Sequence, residues 1–337
     1  VIFANTLILL ATFCVSFLGG GMVWRYAMRS KLLDIPNTRS SHAVPTPRGG
    51  GLAIALSFFV GSAALLALGL LDSKMMLALV GAGAIAGIGF LDDKRQLSAK
   101  LRFGVHLAAA IFAVSILGGL PTHIFSGLGP IEHWIRAFFS VFALTWATNL
   151  FNFMDGIDGI AAGEAIFISG AGATLNYALG GDAGLTAAML CLSAATFGFL
   201  LWNWPPARLF MGDVGSGFLG FTLTVLAFAT SQRGGMAIGV WAILGGVFLV
   251  DASVTLLRRM LRGDRWFEPH RMHAYQHLAR RWHTHLPVTL IAAAINVGWL
   301  FPWAWYAAHY PVQATFCVVV ALVPLVAAAL LAGSGKA

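Results

Sequence analysis

The stretch NLFNFMDGIDGIAAGE, residues 149–164, ends one apolar run and begins the next, yet it carries Asn149, Asn152, Asp155, Asp158 and Glu164. The first four recur every third residue. A row at that spacing stays near one face of a helix, so the stretch predicts a column of amide and carboxylate oxygens at one end of a helix. Gly156 and Gly159 let the backbone open there or approach a ligand. Hard oxygen donors suit Mg²⁺ or Mn²⁺. The segment has no Lys or Arg, so Asp155 and Asp158 need a metal or another loop to balance them. A second reading makes Asp158 the cap of a helix starting at Gly159, which would explain one aspartate but hardly the column.

The surroundings of this stretch are those of a membrane protein. Hydrophobic residues make up 58% of the 337 and charged residues 10%, with a mean hydropathy of +0.81. A soluble chain of this length needs more charge to cover its surface. Apolar runs long enough for a bilayer are expected at about 1–24, 49–71, 74–91, 102–120, 134–152, 160–180, 183–203, 216–231, 235–256, 286–309 and 311–333. The expected fold is therefore an all-α polytopic transmembrane helical bundle of about eleven spans, forming one domain over residues 1–337. The first run has no basic n-region or A-x-A site and reads as a span rather than a removed signal peptide.

The net charge of +8 belongs to orientation. With eleven spans, all of the 21 Lys and Arg except Lys74, Arg136 and Arg233 fall on one set of loops. The positive-inside rule makes that set cytoplasmic, the N-terminus extracytoplasmic and the C-terminus cytoplasmic. Nucleic acid is not implied. Most acids fall on the same side, leaving Asp72, Glu132 and Asp182 opposite, while Glu164 and Asp251 sit inside spans near the cytoplasmic end. Acids at a membrane edge are costly unless they serve structure or function. The site is therefore sought on loops 25–48, 92–101, 149–159, 204–217 and 257–285. Cys14, Cys191 and Cys317 are isolated and imply neither a disulfide framework nor zinc. GAGAIAG, residues 81–87, has small-residue spacing that suits close helix packing rather than a nucleotide.

Four more stretches carry chemistry. In FLDDKRQLSAK, Asp92 and Asp93 are adjacent carboxylates that repel and want a cation or a proton; acids at a helix C-terminus also oppose its dipole. In ARLFMGDVGSG, Gly215–Gly217 can expose amides as a phosphate nest. Asp213 stands beside it as a metal ligand, and Phe210 is a stacking plate for a base. The segment 257–285 is rich in Arg and His, with His270, Arg271 and His273 its densest cluster; guanidinium forks clamp phosphates. In PNTRSSHAVPTPRGGG, Arg39, His42 and Arg48 could reach phosphate, or the prolines hold a plain loop. Acids and amides for a hard metal, a glycine nest and a basic lid are the parts for moving a phosphoryl group. No Walker A motif is present, which disfavours an ATPase.

FLDDKRQLSAKLRFG, NLFNFMDGIDGIAAG, RLFMGDVGSG and EPHRMH occur in an order that resembles the polyprenyl-phosphate N-acetylhexosamine-1-phosphate transferases, glycosyltransferase family 4. DRWFEPHRMHAYQHLARR looks more like the O-antigen-initiating branch than the related phospho-MurNAc-pentapeptide translocases, which have three consecutive histidines in this loop. The resemblance implies a bacterial inner-membrane enzyme. It would join UDP-N-acetylhexosamine (GlcNAc, FucNAc or QuiNAc type) to undecaprenyl phosphate with Mg²⁺, releasing UMP. By the same resemblance Asp92 is the base or the positioner of the lipid phosphate, with Asp93 in support. Asn152 and Asp213 bind Mg²⁺, Asp155 supports that shell and Lys100 meets phosphate. Asp158 lies near the uracil and Phe210 stacks on it, while His270, Arg271 and His273 close over the phosphates. Asn149 and Arg48 complete the substrate contacts. Membrane lipids surround the protein, and a homodimer is compatible with this reading. The rival class, an ion-coupled transporter, places its acids near the bilayer midplane, whereas these gather at one edge.

Overall fold

Helix starts are written locally in the chain. Asp72, Ser98 and Asp182 accept the backbone N–H three residues ahead, from Met75 (2.7 Å), Leu101 (3.3 Å) and Leu185 (2.9 Å), and so begin three helices. Gly118, at φ +91°, ends the helix that Ser98 begins, and Gly333, at φ +100°, ends the last helix, as glycine does in a left-handed C-cap. The computed structural model describes residues 2–36, 44–264 and 270–336. Arg39 and His42 lie outside the described residues.

The helices are α1 (Ile2–Ser30), α2 (Gly51–Ala67), α3 (Ser73–Arg95), α4 (Ala99–Leu117), α5 (Glu132–Met154), α6 (Ile160–Ala178) and α7 (Ala183–Asn203). There follow α8 (Asp213–Gln232), α9 (Ile238–Leu244), α10 (Gly246–Leu261), α11 (Ala274–Trp282), α12 (Leu286–Ile295), α13 (Phe301–His309) and α14 (Ala314–Ala332). A π turn, Asn296–Leu300, joins α12 to α13. The antiparallel pair β1 (Leu33–Asp34) and β2 (Thr46–Pro47) is the only sheet among the described residues. The all-α class holds.

Each expected apolar run is helical, but eight helices are long and apolar enough to cross a membrane, or nine when α9 and α10, bent by 81°, count as one broken span. Of the eleven expected runs, those at α2, with only 17 residues, and at α6 are not among the eight.

Helix α8 is the axis. Its apolar window is 94% buried, against 17% for α1, α4 and α14, so those three form the outer wall. Phe218, Phe221 and Phe228 of α8 are fully enclosed. Small residues let its neighbours approach. A Cβ on Gly81 of α3 would lie 2.8 Å from the Phe221 ring, and one on Gly89 would lie 2.5 Å from the Asp213 carbonyl. Gly51 and Gly215 pack backbone to backbone. The α3–α8 crossing therefore brings the end of α3, with Asp92 and Asp93, against the start of α8, with Asp213. At the opposite end, Arg233 bridges Asp72 and Asp182, tying the starts of α3 and α7 to the end of α8. Inside the bundle, buried Glu164 accepts from Asn296 of the π turn at 2.6 Å.

Candidate active site

Asp92 and Asp213 turn their Oδ2 atoms onto one nitrogen, Arg102 Nη1, at 2.7 and 2.8 Å. Arg102 lies on the first turn of α4, where residues 96–98 turn the chain back over Asp92; Leu97 N donates to Asp92 Oδ1 at 2.6 Å. Asn152, near the end of α5, lies beside the Asp213 carboxylate, and its Nδ2 donates to Ser216 Oγ at 3.3 Å. Asn152 and Asp213, expected at a divalent ion, thus meet Asp92, expected at the lipid phosphate, with a guanidinium standing at the point where the carboxylates converge. Two carboxylates and an amide, all hard oxygen donors, fit Mg²⁺ or Mn²⁺ in kind. No group of three or more His, Cys, Asp or Glu arranged for a metal occurs among the described residues.

Asp93 takes a different part. It is 3% exposed and accepts from the Asp213 and Val214 amides, at 3.3 and 3.4 Å. These are the first free N–H groups of α8, so Asp93 caps that helix from α3 and meets the positive end of its dipole. Arg48 lies behind it, its Nε 3.9 Å from Asp93 Oδ1 and its Nη2 donating to the Asp93 carbonyl. The expected phosphate nest at Gly215–Gly217 is corrected by this arrangement. The Gly215 and Ser216 amides donate to Gly212 O, all three nest residues are buried, and the next free amides are already held by Asp93.

The expected column of oxygens is broken at Met154. Asp155 has ψ 55° and ends α5, while Gly159 at φ +76° starts α6 without a side-chain cap. Asn149 turns its amide back to Thr145 O at 2.7 Å. Asp155 is half-buried, and its carboxyl is pushed up to about 8 by burial, then by Asp213, Asp93 and Asp158. Asp158 does not cap α6. Its Oδ2 accepts from Ala207 N at 3.0 Å, and its Oδ1 lies 3.2 Å from His285 Nδ1. It therefore joins the 204–212 loop to the start of α12. Phe210, half-buried in that loop, pairs its backbone with Pro47 O (2.8 Å) and Gly50 N (2.9 Å). Lys100 is exposed on α4, and its side chain makes no hydrogen bond or ion pair among the described residues.

The His–Arg cluster is held by α10 and α11. His273 is 2% exposed, caps α11 in a box with Gln276, and lies 3.7 Å from Asp251. Its place is in the support of the loop. His270 lies against it, ring centres 4.9 Å apart and planes tilted by 30°. Burial, then the charges of His273 and Arg259, push the His270 imidazole down to about 3, so it is neutral near pH 7 and offers hydrogen bonds rather than charge. The Arg271 carbonyl accepts from Arg280 at 3.0 Å. Tyr275 reaches back to Phe153 O at 3.0 Å, beneath Gly156, where a Cβ would strike its hydroxyl.

Sequence reasoning missed Arg102, Tyr275 and His285. Arg102 looked like an anchor residue at a helix edge. Its sole sequence signal was its position one helical turn beyond Ser98, which starts α4 after the acid pair. His285 and Tyr275 reveal their partners only in three dimensions.

Fold and site define a multi-pass membrane protein with an acid-rich centre at one end of its helical bundle. The family model for glycosyl transferase family 4 matches residues 75–231, the span that contains Asp92, Asn152 and Asp213. The chain is 33% identical over 264 residues to a probable undecaprenyl-phosphate N-acetylglucosaminyl 1-phosphate transferase of Bacillus subtilis, covering 76% of this chain and 72% of the relative. It is 31% identical over 308 residues to a decaprenyl-phosphate N-acetylglucosaminephosphotransferase of Mycobacterium tuberculosis, covering 82% and 76%. A phospho-N-acetylmuramoyl-pentapeptide-transferase of Shouchella clausii is 28% identical over 250 residues, covering 69% and 75%. The chain belongs to glycosyl transferase family 4 and is a transferase.

Proposed function

We propose that this protein transfers N-acetylhexosamine-1-phosphate from a UDP-N-acetylhexosamine to undecaprenyl phosphate, at the cytoplasmic face of a bacterial inner membrane. The products are the lipid-diphosphate-linked sugar and UMP. We further propose a donor of the GlcNAc, FucNAc or QuiNAc type and a role in initiating O-antigen or a related surface polysaccharide. An eleven-span topology with the C-terminus inside accompanies this reading. The observation that carries it is the convergence of Asp92 and Asp213, from helices distant in sequence, on one cation-sized point beside Asn152.

In this reading Asn152 and Asp213, with Asp92 beside them, would hold Mg²⁺ or Mn²⁺, which when bound would offset the charge of two phosphates. A lipid-phosphate oxygen forms a bond to the sugar-bearing β-phosphorus, and the bond from that phosphorus to the bridging oxygen breaks, leaving UMP. A phosphate monoester, with a second pKa of roughly 6, is already largely ionised at neutral pH, so Asp92 acts first as a positioning group. Asp155 supports the metal shell. Lys100 and Arg271 supply positive charge, and His270 supplies hydrogen bonds. Phe210 and Asp158 take the uracil, with Arg48, Asn149 and His273 holding the neighbouring backbone. The test is a panel of UDP-sugars with undecaprenyl phosphate, scored by UMP and lipid-linked product. Mg²⁺-dependent UMP release with an N-acetylhexosamine donor is expected, and its loss in both Asp92→Asn and Asp213→Asn. Release of no UMP from any donor by folded protein rejects the proposal.

A further inference from the structure

The buried carboxylate of Asp251 has no part in the chemistry above, yet donors from three separate pieces of chain surround it. Asp251 sits on the second turn of α10 and is 5% exposed. Its Oδ1 accepts from Ala274 N at 2.8 Å and its Oδ2 from Tyr275 N at 3.2 Å. These are the first two amides of α11, which have no partner within their own helix. Thr255 Oγ1, one turn along α10, donates at 3.2 Å. The third source is the segment that follows α14: Ser334 Oγ donates to Asp251 Oδ1 at 2.8 Å.

That segment is fastened at further points. Ser334 is fully buried, and its carbonyl accepts from Arg258 Nη1 of α10 at 2.7 Å. Gly335 N donates to the Met272 carbonyl at 2.6 Å, inside the His270–His273 loop itself. Gly333, at φ +100°, turns the chain off α14 beside His277 of α11. No requirement of membrane insertion brings a serine to a carboxylate 83 residues earlier. The contact spends a buried, charge-assisted hydrogen bond on the loop rather than on the bundle.

We infer that residues 333–336 form a latch, and that Ser334 is a positioning residue which, through Asp251, sets where His270 and Arg271 stand over the site. The inference rests on the proposed role of that loop in donor binding. The latch acts on α11 at its start. Tyr275 on Phe153 and His285 on Asp158 relay that position to the α5–α6 turn. The donor side of the reaction is therefore sensitive to Ser334, and the lipid-acceptor side is not.

The experiment compares wild type, Ser334→Ala, Ser334→Asp, Ser334→Thr and a chain ending at Gly333. It measures hydrogen exchange of the 272–277 peptide, donor and acceptor KM, and kcat. Losing one charge-assisted bond of the set should speed exchange at Ala274 and Tyr275 on the order of tenfold in Ser334→Ala. The second buried carboxylate in Ser334→Asp and the truncation should speed it more. Donor KM rises in step, acceptor KM stays near wild type, and Ser334→Thr, which keeps the hydroxyl, restores both readouts. Unchanged exchange in Ser334→Asp and in the truncation overturns the latch. So does a loss of kcat with both KM values and exchange unaltered. If wild type releases no UMP, the proposed function fails, while the exchange data still decide whether the latch exists.

Discussion

Replacing Arg102 by Gln tests the centre of the site most directly. The side chain holds two carboxylates through one nitrogen, at 2.7 and 2.8 Å, with Arg102 34%, Asp92 12% and Asp213 31% exposed. A charge-assisted hydrogen bond contributes about 1.5–3 kcal/mol, and a side chain this open to solvent keeps only part of that. Removing the guanidinium also leaves two carboxylates less than about 6 Å apart. Their repulsion is roughly 1–3 kcal/mol between a bulk-water and a protein-surface dielectric. The metal-free protein should lose about 2–4 kcal/mol in total, a fall in unfolding temperature of roughly 3–8 °C. Millimolar Mg²⁺ should return most of the loss in Arg102→Gln, because a divalent ion replaces the missing charge between the same oxygens. The assay is thermal unfolding in detergent, with EDTA and with Mg²⁺. A variant equally destabilised in both conditions, or unaffected in EDTA, refutes the claim that Arg102 stands at the cation position.

Three other outcomes are expected. Asp155 has its folded-state pKa raised to about 8 from an ordinary carboxylate value near 4. The folded state then binds the extra proton, and Asp155 lowers stability as pH climbs between those values; in Asp155→Asn, denaturant midpoints from pH 5 to pH 9 should lose that part of their downward slope. Gly212→Ala places a Cβ against the Asp93 carboxylate at φ +74° and should cost about 1–3 kcal/mol together with most activity, read by denaturant unfolding and UMP release. Arg233→Gln removes the bridge between Asp72 and Asp182 at the far end, so it should lower the unfolding temperature by a few degrees and leave donor and acceptor KM unchanged.

How much was readable follows the range of the forces involved. The helices and the gathering of acids at one end were legible in the chain, because apolar patterning is a local signal; the caps Asp72, Ser98 and Asp182 were not read from it. The class of site was legible too, since Asp92, Asn152 and Asp213 each end or begin an apolar run on the same side. The column through Asp158 was misread. Three-residue spacing holds a face only while the helix lasts, and Asp155 and Gly159 stop it. The glycine nest was misread because the Gly215 and Ser216 amides turn back to Gly212 O, and the free Asp213 and Val214 amides before them face Asp93, which lies 120 residues earlier than Asp213.

By itself, then, the sequence determined the membrane-spanning helices and which of their ends carry acids. Tertiary structure alone decided how those ends are paired: Arg102 with Asp213 across 111 residues, Asp158 with His285, and Ser334 with Asp251. The physical reason is that a carboxylate near a membrane must find a donor or a cation, and many in the chain would serve. Only the crossing of α3 with α8, permitted by Gly89, and the folding of α11 onto α10 choose among them.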